Sequence, residues 1–425
     1  MMSQQGVAPR LAAVQLMDAV MNDGRLLSEL TGGKGPLARL EPAEAARAMR
    51  LALQTLRWMA RADRLLGRYL RKMPPLWVMN VLRLAVMEIC VEGEAAHGVV
   101  NSAVNITRKG PKTESFSGLV NATLRKVADQ GPALWPGLAA PQLPKWLRKP
   151  LIADYGKPAV VAMEAAHTAG APLDLTPKDA ESEALARKLG GEVLPTGSVR
   201  LQDAGQVTAL PGFETGDWWV QDAAAALPVK LLAPQKGEAV LDLCAAPGGK
   251  TMQIAATGAD VTALDLSKAR MARVEENLKR TQLDARLEVG DALTWDGGPY
   301  DAILLDAPCT ATGTIRRHPD LPYAKDGSDF PKLFQLQERM IDHALSLLKP
   351  GGRMVFCTCS LLVDEGEIQA EDALKRHPDL HIERPALDGI EPDWITSEGG
   401  LRLRPDFWAE RGGMDGFYMA VLRKD

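Results

Sequence analysis

Two thiols stand in settings that suit chemistry. Cys309 lies in Asp306-Ala307-Pro308-Cys309 and Cys359 in Cys357-Thr358-Cys359-Ser360, and each tract directly follows an apolar run that reads as a β-strand. In a parallel α/β sheet, ligands and reacting groups collect beyond the carboxyl ends of the strands, so two thiols at two such ends can face one pocket. One thiolate could attack an electron-poor carbon while the other assists.

The acidic residues around them follow the same placement. Asp265 closes the strand after that of Asp242, at roughly the 20-residue offset at which an acidic side chain grips ribose hydroxyls in this topology. Asp291 closes the third strand. Between the first strand and its helix runs Cys244-Ala245-Ala246-Pro247-Gly248-Gly249-Lys250-Thr251, whose small residues let a ligand approach backbone amides. A phosphate-binding GxxxxGK[ST] loop needs Gly where this loop has Cys244, and the GxGxxG dinucleotide fingerprint is absent, so nucleotide hydrolysis and hydride transfer lose ground. Strand ends carrying acids and small residues without a basic cradle suit an adenosine ligand that lacks phosphates. S-adenosylmethionine is the natural candidate, although a lone Asp at such a place often only caps a loop or helix.

The elements that must position these groups are legible from residue 238 onward. Strands are expected over 239–243, 261–264, 286–289, 302–305 and 354–356, and helices after Gly248, over 268–278, around 332–348 and near 364–375. Strands alternating with helices mean a doubly wound parallel sheet, an α/β fold. Residues 1–135 read instead as helices, with apolar residues at i, i+3 and i+4 as in Leu11-Ala12-Ala13-Val14-Gln15-Leu16-Met17. Arg57, Arg61, Arg64, Arg68, Arg71 and Lys72 would form one basic stripe that could track phosphates; Arg stems also commonly just cover apolar surface. Proline-rich residues 136–150 read as a linker, and 151–235 as a small α+β subdomain. The last region is 236–425.

Composition narrows the class. The chain has 425 residues and is 46% hydrophobic, ample for several cores. Residues 1–140 hold 18 Lys+Arg against 11 Asp+Glu while the remainder is acidic, a basic module that suits a polyanionic partner. No apolar run approaches a membrane span, and no signal peptide is evident, which points to the cytoplasm. The five cysteines do not form the framework of a disulfide-stapled domain, and six scattered His with a tight Cys357-Thr358-Cys359 give no metal site. Nothing demands more than a monomer.

Read together, Leu241-Asp242-Leu243-Cys244-Ala245-Ala246-Pro247-Gly248-Gly249-Lys250-Thr251, Asp306-Ala307-Pro308-Cys309 and Thr358-Cys359-Ser360 resemble, in kind and order, the RNA cytosine-5 methyltransferases. Thr310-Ala311-Thr312-Gly313-Thr314-Ile315-Arg316-Arg317-His318-Pro319-Asp320 and Asp415-Gly416-Phe417-Tyr418-Met419-Ala420 are similar to their bacterial RsmB (Sun) branch. The stretches 99–104 and 118–126 resemble the later helices of NusB-type RNA-binding domains.

The resemblance implies a Rossmann-like class I methyltransferase sheet, preceded by the α+β subdomain and an all-α NusB-like domain. It implies S-adenosylmethionine as cofactor and RNA as partner, foremost small-subunit ribosomal RNA, with transfer RNA or another RNA as the alternative. It gives Cys359 as the nucleophile at C6 of cytosine, Cys309 as the group that helps release product, Asp306 as a partner of the base's N3 and N4 edge, and Lys250 as a lysine near the base. Cofactor would lie on Cys244, Ala245, Ala246, Pro247, Gly248, Gly249, Lys250, Asp265, Arg270, Asp291 and Asp306. Arg316, Arg317 and His318 could clamp substrate phosphates or cap a helix. Val363 and Gly366 stand where the family commonly has Pro and Asn, and Leu173-Asp174-Leu175-Thr176 where Arg-x-Asn is frequent. A non-enzymatic alternative is an RNA-binding assembly factor in which the sheet only holds cofactor; the two thiols argue against it.

Overall fold

Helix α2 shows why the leading region is helical. Its buried residues Ala48, Leu51, Ala52, Thr55, Leu56, Met59, Ala62, Leu65 and Leu66 recur every three to four positions, so one stripe faces a core, and Pro42 opens its first turn. The computed structural model describes residues 6–32, 35–179, 181–202 and 204–424. In the first unit α1 (Val7–Asp23), α2 (Pro42–Leu66), α3 (Leu76–Cys90), α4 (Ala96–Lys109) and α5 (Ser117–Leu134) share one apolar cluster. A sixth helix, α6 (Lys145–Ala169), is broken at Gly156, where φ is 77°. Residues 145–150 were expected in a linker and 151–169 in the α+β subdomain; they are helical and pack with the first unit, which runs to Ala169. Their buried Leu147, Leu151, Val160 and Met163 supply the reason.

The same unit takes in Ile315–Gly327 from far along the chain. Asp320 Oδ2 accepts from Leu27 N at 2.8 Å, and Pro322 O from Trp146 Nε1 at 3.3 Å. Arg316, expected as a phosphate clamp, is wholly buried here and its carbonyl accepts from Arg57 Nη2 at 2.8 Å. The arginine stripe of α2 is likewise turned inward. Arg57 Nη1 also bonds His167 O, Arg61 Nη2 donates to Pro136 O and Leu138 O at 3.0 and 2.7 Å, and Arg64 Nη1 to Ala139 O and Ala140 O at 2.6 and 2.7 Å. Arg61 further lies over the rings of Trp58 and Trp135, 5.7 and 5.1 Å from their centroids. Only Arg68, Arg71 and Lys72 remain exposed. Arg61→Ala should therefore cost about 1–3 kcal/mol of stability in urea unfolding, while the salt dependence of RNA affinity stays unchanged.

The second unit opens with β1 (Leu173–Pro177), α7 (Ser182–Leu189), β2 (Glu192–Val193), β3 (Val199–Leu201) and β4 (Trp218–Val220), an antiparallel sheet of order β2-β3-β1-β4. Asp174, at the position where the family pattern differs, makes a buried bidentate pair with Arg200, both bonds 2.7 Å. Then follow α8 (Ala223–Leu232), β5 (Ala239–Leu243), α9 (Gly249–Ala255), β6 (Asp260–Asp265), α10 (Lys268–Thr281), β7 (Arg286–Val289), β8 (Tyr300–Asp306), α11 (Phe330–Ser346), β9 (Leu348–Thr358), α12 (Glu367–Arg376), β10 (Leu380–Glu383), β11 (Leu401–Leu403) and β12 (Phe417–Lys424).

Strands β5 to β9 are parallel in the order β9-β8-β5-β6-β7. The sheet is not parallel throughout: β12 runs antiparallel between β9 and β10. Alternate residues divide between its faces. Leu241, Leu243, Ile303, Leu305, Met354 and Phe356 pack toward α11 and α12, while Val240, Ala302, Leu304 and Val355 pack toward α8. Both faces being buried explains the nearly unbroken apolar runs in the sequence. Among the described residues no helix is long and apolar enough to cross a membrane.

Candidate active site

Register brings the two thiols together. Strands β8 and β9 are parallel neighbours with Asp306 opposite Cys357, and Ala307 N donates to Cys357 O at 3.0 Å just past the strand ends. The two loops therefore leave the sheet level with one another. Cys309 Sγ and Cys359 Sγ lie 3.5 Å apart, within reach of an S–H···S contact, and both residues are half-buried. The hydrogen bond to Cys359 foremost, then burial, holds the Cys309 thiol well above its ordinary value.

Asp306 sits at the end of β8 with its side chain 29% exposed, open enough to meet a ligand. Lys250 Nζ donates to its Oδ2 at 2.9 Å and lies 5.3 Å from the centroid of the Phe417 ring. Burial by itself would lower the Lys250 ammonium, but the adjacent Asp306 carboxylate outweighs it and the net shift is upward. Behind Asp306, buried Cys357 points its Sγ at Oδ1 from 3.6 Å; burial pushes that thiol up, and it acts as a weak donor to the carboxylate. Nothing in the local sequence marks this contact.

The loop after β5 is shaped by backbone. Cys244 has φ 64° and is half-buried, its thiol raised chiefly by burial. Gly248 has φ 101°, and a Cβ there would meet Val274 of α10 at 3.0 Å, so the loop and α10 approach as only glycine allows. Asp265 accepts from Ala246 N at 3.2 Å and from Ser267 N at 2.9 Å, and Arg270 Nη2 donates to Ala246 O at 2.5 Å. Asp265 and Arg270 thus hold the loop at Ala246, beyond the ends of β5 and β6. Asp291 is exposed after β7, with Oδ1 accepting from Leu293 N at 2.9 Å. The donor set fits a cationic adenosyl sulfonium and not a polyphosphate: Asp265, Asp291 and Asp306 supply carboxylates, and Arg270 is spent on Ala246 and Asp265.

Asp242 is the most deeply buried acid here, fully enclosed with Oδ2 accepting from Thr251 Oγ1 at 2.6 Å. Burial raises its carboxyl to about 7. With the folded value above the unfolded one, the stability of the neutral form is complete below about pH 4 and is lost as pH rises through about 7. Asp242→Asn should accordingly stabilise the protein at pH 8 by up to about 4 kcal/mol and change it little at pH 4, read by urea unfolding at both values.

Two further residues were missed as site residues. Glu365 and Gln337 are fully buried between the cysteine loops, and nothing in their local sequence marks them as partners of residues 308–310. Gly366, where Asn is common in the family, has no room for a side chain: a Cβ would lie 2.7 Å from Tyr418 Cγ.

Comparison with known proteins agrees with this geometry. Residues 229–423 match the family model described as 16S rRNA methyltransferase RsmB/F, and residues 7–129 match the NusB family. Ribosomal RNA small subunit methyltransferase B of Xanthomonas campestris is 34% identical over 407 residues, 89% of this chain and 90% of that protein. Its counterpart in Pseudomonas putida is 34% identical over 421 residues, 92% of this chain and 96% of that one. The counterpart in Cronobacter sakazakii is 50% identical over 192 residues, an alignment that spans 44% of this chain and 45% of that relative. Among solved structures, that of PH0851 covers 98% of this chain and 99% of its own with a TM-score of 0.73 at 21% identity, a likeness of fold. A methyltransferase homolog protein from Pyrococcus horikoshii covers 65% of this chain and 94% of its own, with a TM-score of 0.55 and 29% identity. Matched to two such relatives over nine-tenths of their length or more, the chain belongs to the ribosomal RNA small subunit methyltransferase B family.

Proposed function

We propose that this chain methylates C5 of a cytosine in small-subunit (16S) ribosomal RNA with S-adenosylmethionine, through a covalent bond between Cys359 and C6. The observation that carries the reading is the 3.5 Å approach of Cys309 Sγ to Cys359 Sγ beside Asp306. C5 of cytosine is a poor nucleophile. Addition of the Cys359 thiolate to C6 makes the ring an enamine whose C5 can accept a methyl group.

Asp306, bonded by Lys250, accepts from the N4 amino group and, once solvent has protonated N3, from N3–H, which stabilises the ring after addition; N3 returns that proton to solvent on product release. The cofactor, held by the 244–249 loop, Lys250, Asp265, Arg270, Asp291 and Asp306, supplies the methyl group. Afterwards the C5 proton must leave. Bonding of the Cys359 sulfur to C6 removes the foremost cause that raises the Cys309 thiol, while burial continues to raise it; Cys309 gives its proton to solvent before it acts. The Cys309 thiolate then takes the C5 proton, the C5–H pair closes the C5–C6 double bond, and the C6–S bond breaks with its pair returning to Cys359. C5 and C6 must face both sulfurs, so the base is extruded from any stack. The reading includes a cytoplasmic monomer whose helical unit contacts RNA.

Bisulfite sequencing of RNA from a strain lacking the protein tests this. Loss of one signal in small-subunit ribosomal RNA, restored by purified protein and labelled cofactor, is the expected result. A loss confined to transfer RNA, or no loss, overturns the substrate assignment.

A further inference from the structure

Glu365 takes no part in the scheme above, yet it joins the two loops that do. It ends a 3-10 turn (Val363–Glu365) after Cys359, is fully buried, and aims its carboxylate at the Cys309 loop. Thr310 N donates to Oε1 and Oε2 at 3.0 and 3.2 Å, Thr310 Oγ1 to Oε2 at 2.5 Å, and Gln337 Nε2 to Oε1 at 3.0 Å. The same Gln337 Nε2 donates to Pro308 O at 2.8 Å, so both neighbours of Cys309 are fixed. On the other side, Thr358 Oγ1 donates to the Glu365 carbonyl at 2.8 Å, fixing the residue before Cys359.

Around this centre the hydroxyls of Thr310, Thr312 and Ser360 lie 3.1 to 3.2 Å from one another. All three residues are buried, as is Gln337. The donors to the carboxylate are an amide, a hydroxyl and a carboxamide, all neutral. Burying a carboxyl side chain costs free energy unless its oxygens find partners, and these contacts meet both of them. Three contacts from Thr310 in the Cys309 loop and one from Gln337 of α11 converge on the Glu365 side chain and fix that loop beside the Cys359 loop.

We propose that Glu365 is a positioning residue of the methyl-transfer reaction, clamping the Cys309 loop to the Cys359 loop so that the two sulfurs meet and product can be released. The inference rests on the covalent-adduct reading. Its test uses the full chain, small-subunit ribosomal RNA and labelled S-adenosylmethionine, with wild type, Cys309→Ala, Glu365→Gln and Thr310→Val compared. Turnover, KM for the cofactor, thermal midpoint and the amount of denaturant-resistant RNA–protein adduct are measured for each.

Glu365→Gln keeps the shape but turns one acceptor into a donor facing Thr310; Thr310→Val removes one donor and still reads the clamp where the first variant folds poorly. Both should turn over about 10- to 100-fold more slowly, with KM for the cofactor unchanged and more adduct than wild type, as partial copies of Cys309→Ala. A lesion that merely loosened the fold would lower turnover and adduct together. Excess adduct in Cys309→Ala but in neither clamp variant overturns this inference and leaves the covalent reading standing. No adduct in Cys309→Ala overturns the release step, and the clamp's purpose with it.

Discussion

Cys359→Ala should be without measurable methyl transfer, down on the order of 10⁴-fold or more, and should form no covalent complex with RNA. No other group in the site is offered for this step: in the scheme Cys309 serves product release, and Cys357 is buried behind Asp306. Cys309→Ala should behave differently. Addition and methyl transfer proceed, but proton removal from C5 loses its acceptor, so turnover falls by about 10²- to 10⁴-fold and a denaturant-stable RNA adduct accumulates on gels. The adduct should require S-adenosylmethionine, because it is the methylated intermediate that cannot release. If both variants still methylate, the two-thiol scheme is wrong for this protein, and a different methylated atom must be sought.

The Lys250–Asp306 pair carries the second large effect. Asp306→Asn removes the carboxylate proposed to meet the base and leaves Lys250, its side chain only 11% exposed, without its counter-charge. Activity should fall by about 10²- to 10³-fold, the usual loss when one preorganised polar contact to a developing charge is deleted. Stability should fall too, by about 2–4 kcal/mol, because an unpaired buried charge remains. Combining Asp306→Asn with Lys250→Met separates the two roles: stability should largely return while activity stays low. Recovery of both together would reduce the pair to a structural element, and urea unfolding alongside a methyl-transfer assay distinguishes the cases.

Much of the catalytic unit could be read from the chain. Strand β5 and strand β7 lie at their expected residues, and β6, β8 and the paired helices differ by a few positions; β5, β6 and β8 are buried on both faces and so spell out apolar runs, while β7 is a half-exposed edge strand. Strands β10, β11 and β12 escaped notice. β10 and β11 are short, and the antiparallel pairing of all three offers no strand–helix alternation to follow. The α2 arginines show the opposite failure: their spacing is real, but the partners that use them are carbonyls at residues 136–140, 167 and 316, which periodicity along one helix does not reveal.

By itself, the sequence determined that Asp306, Cys309 and Cys359 would stand at strand ends, since hydrophobic runs and the motifs closing them are local properties. Tertiary structure alone decided that Asp306 lies level with Cys357 and hence that two sulfurs fifty positions apart come within 3.5 Å. It also decided that Glu365 faces Thr310 and that Ile315–Gly327 belongs with the helical unit. Register and buried polar partners are set by which distant surfaces exclude water together, and no single stretch of chain contains that information.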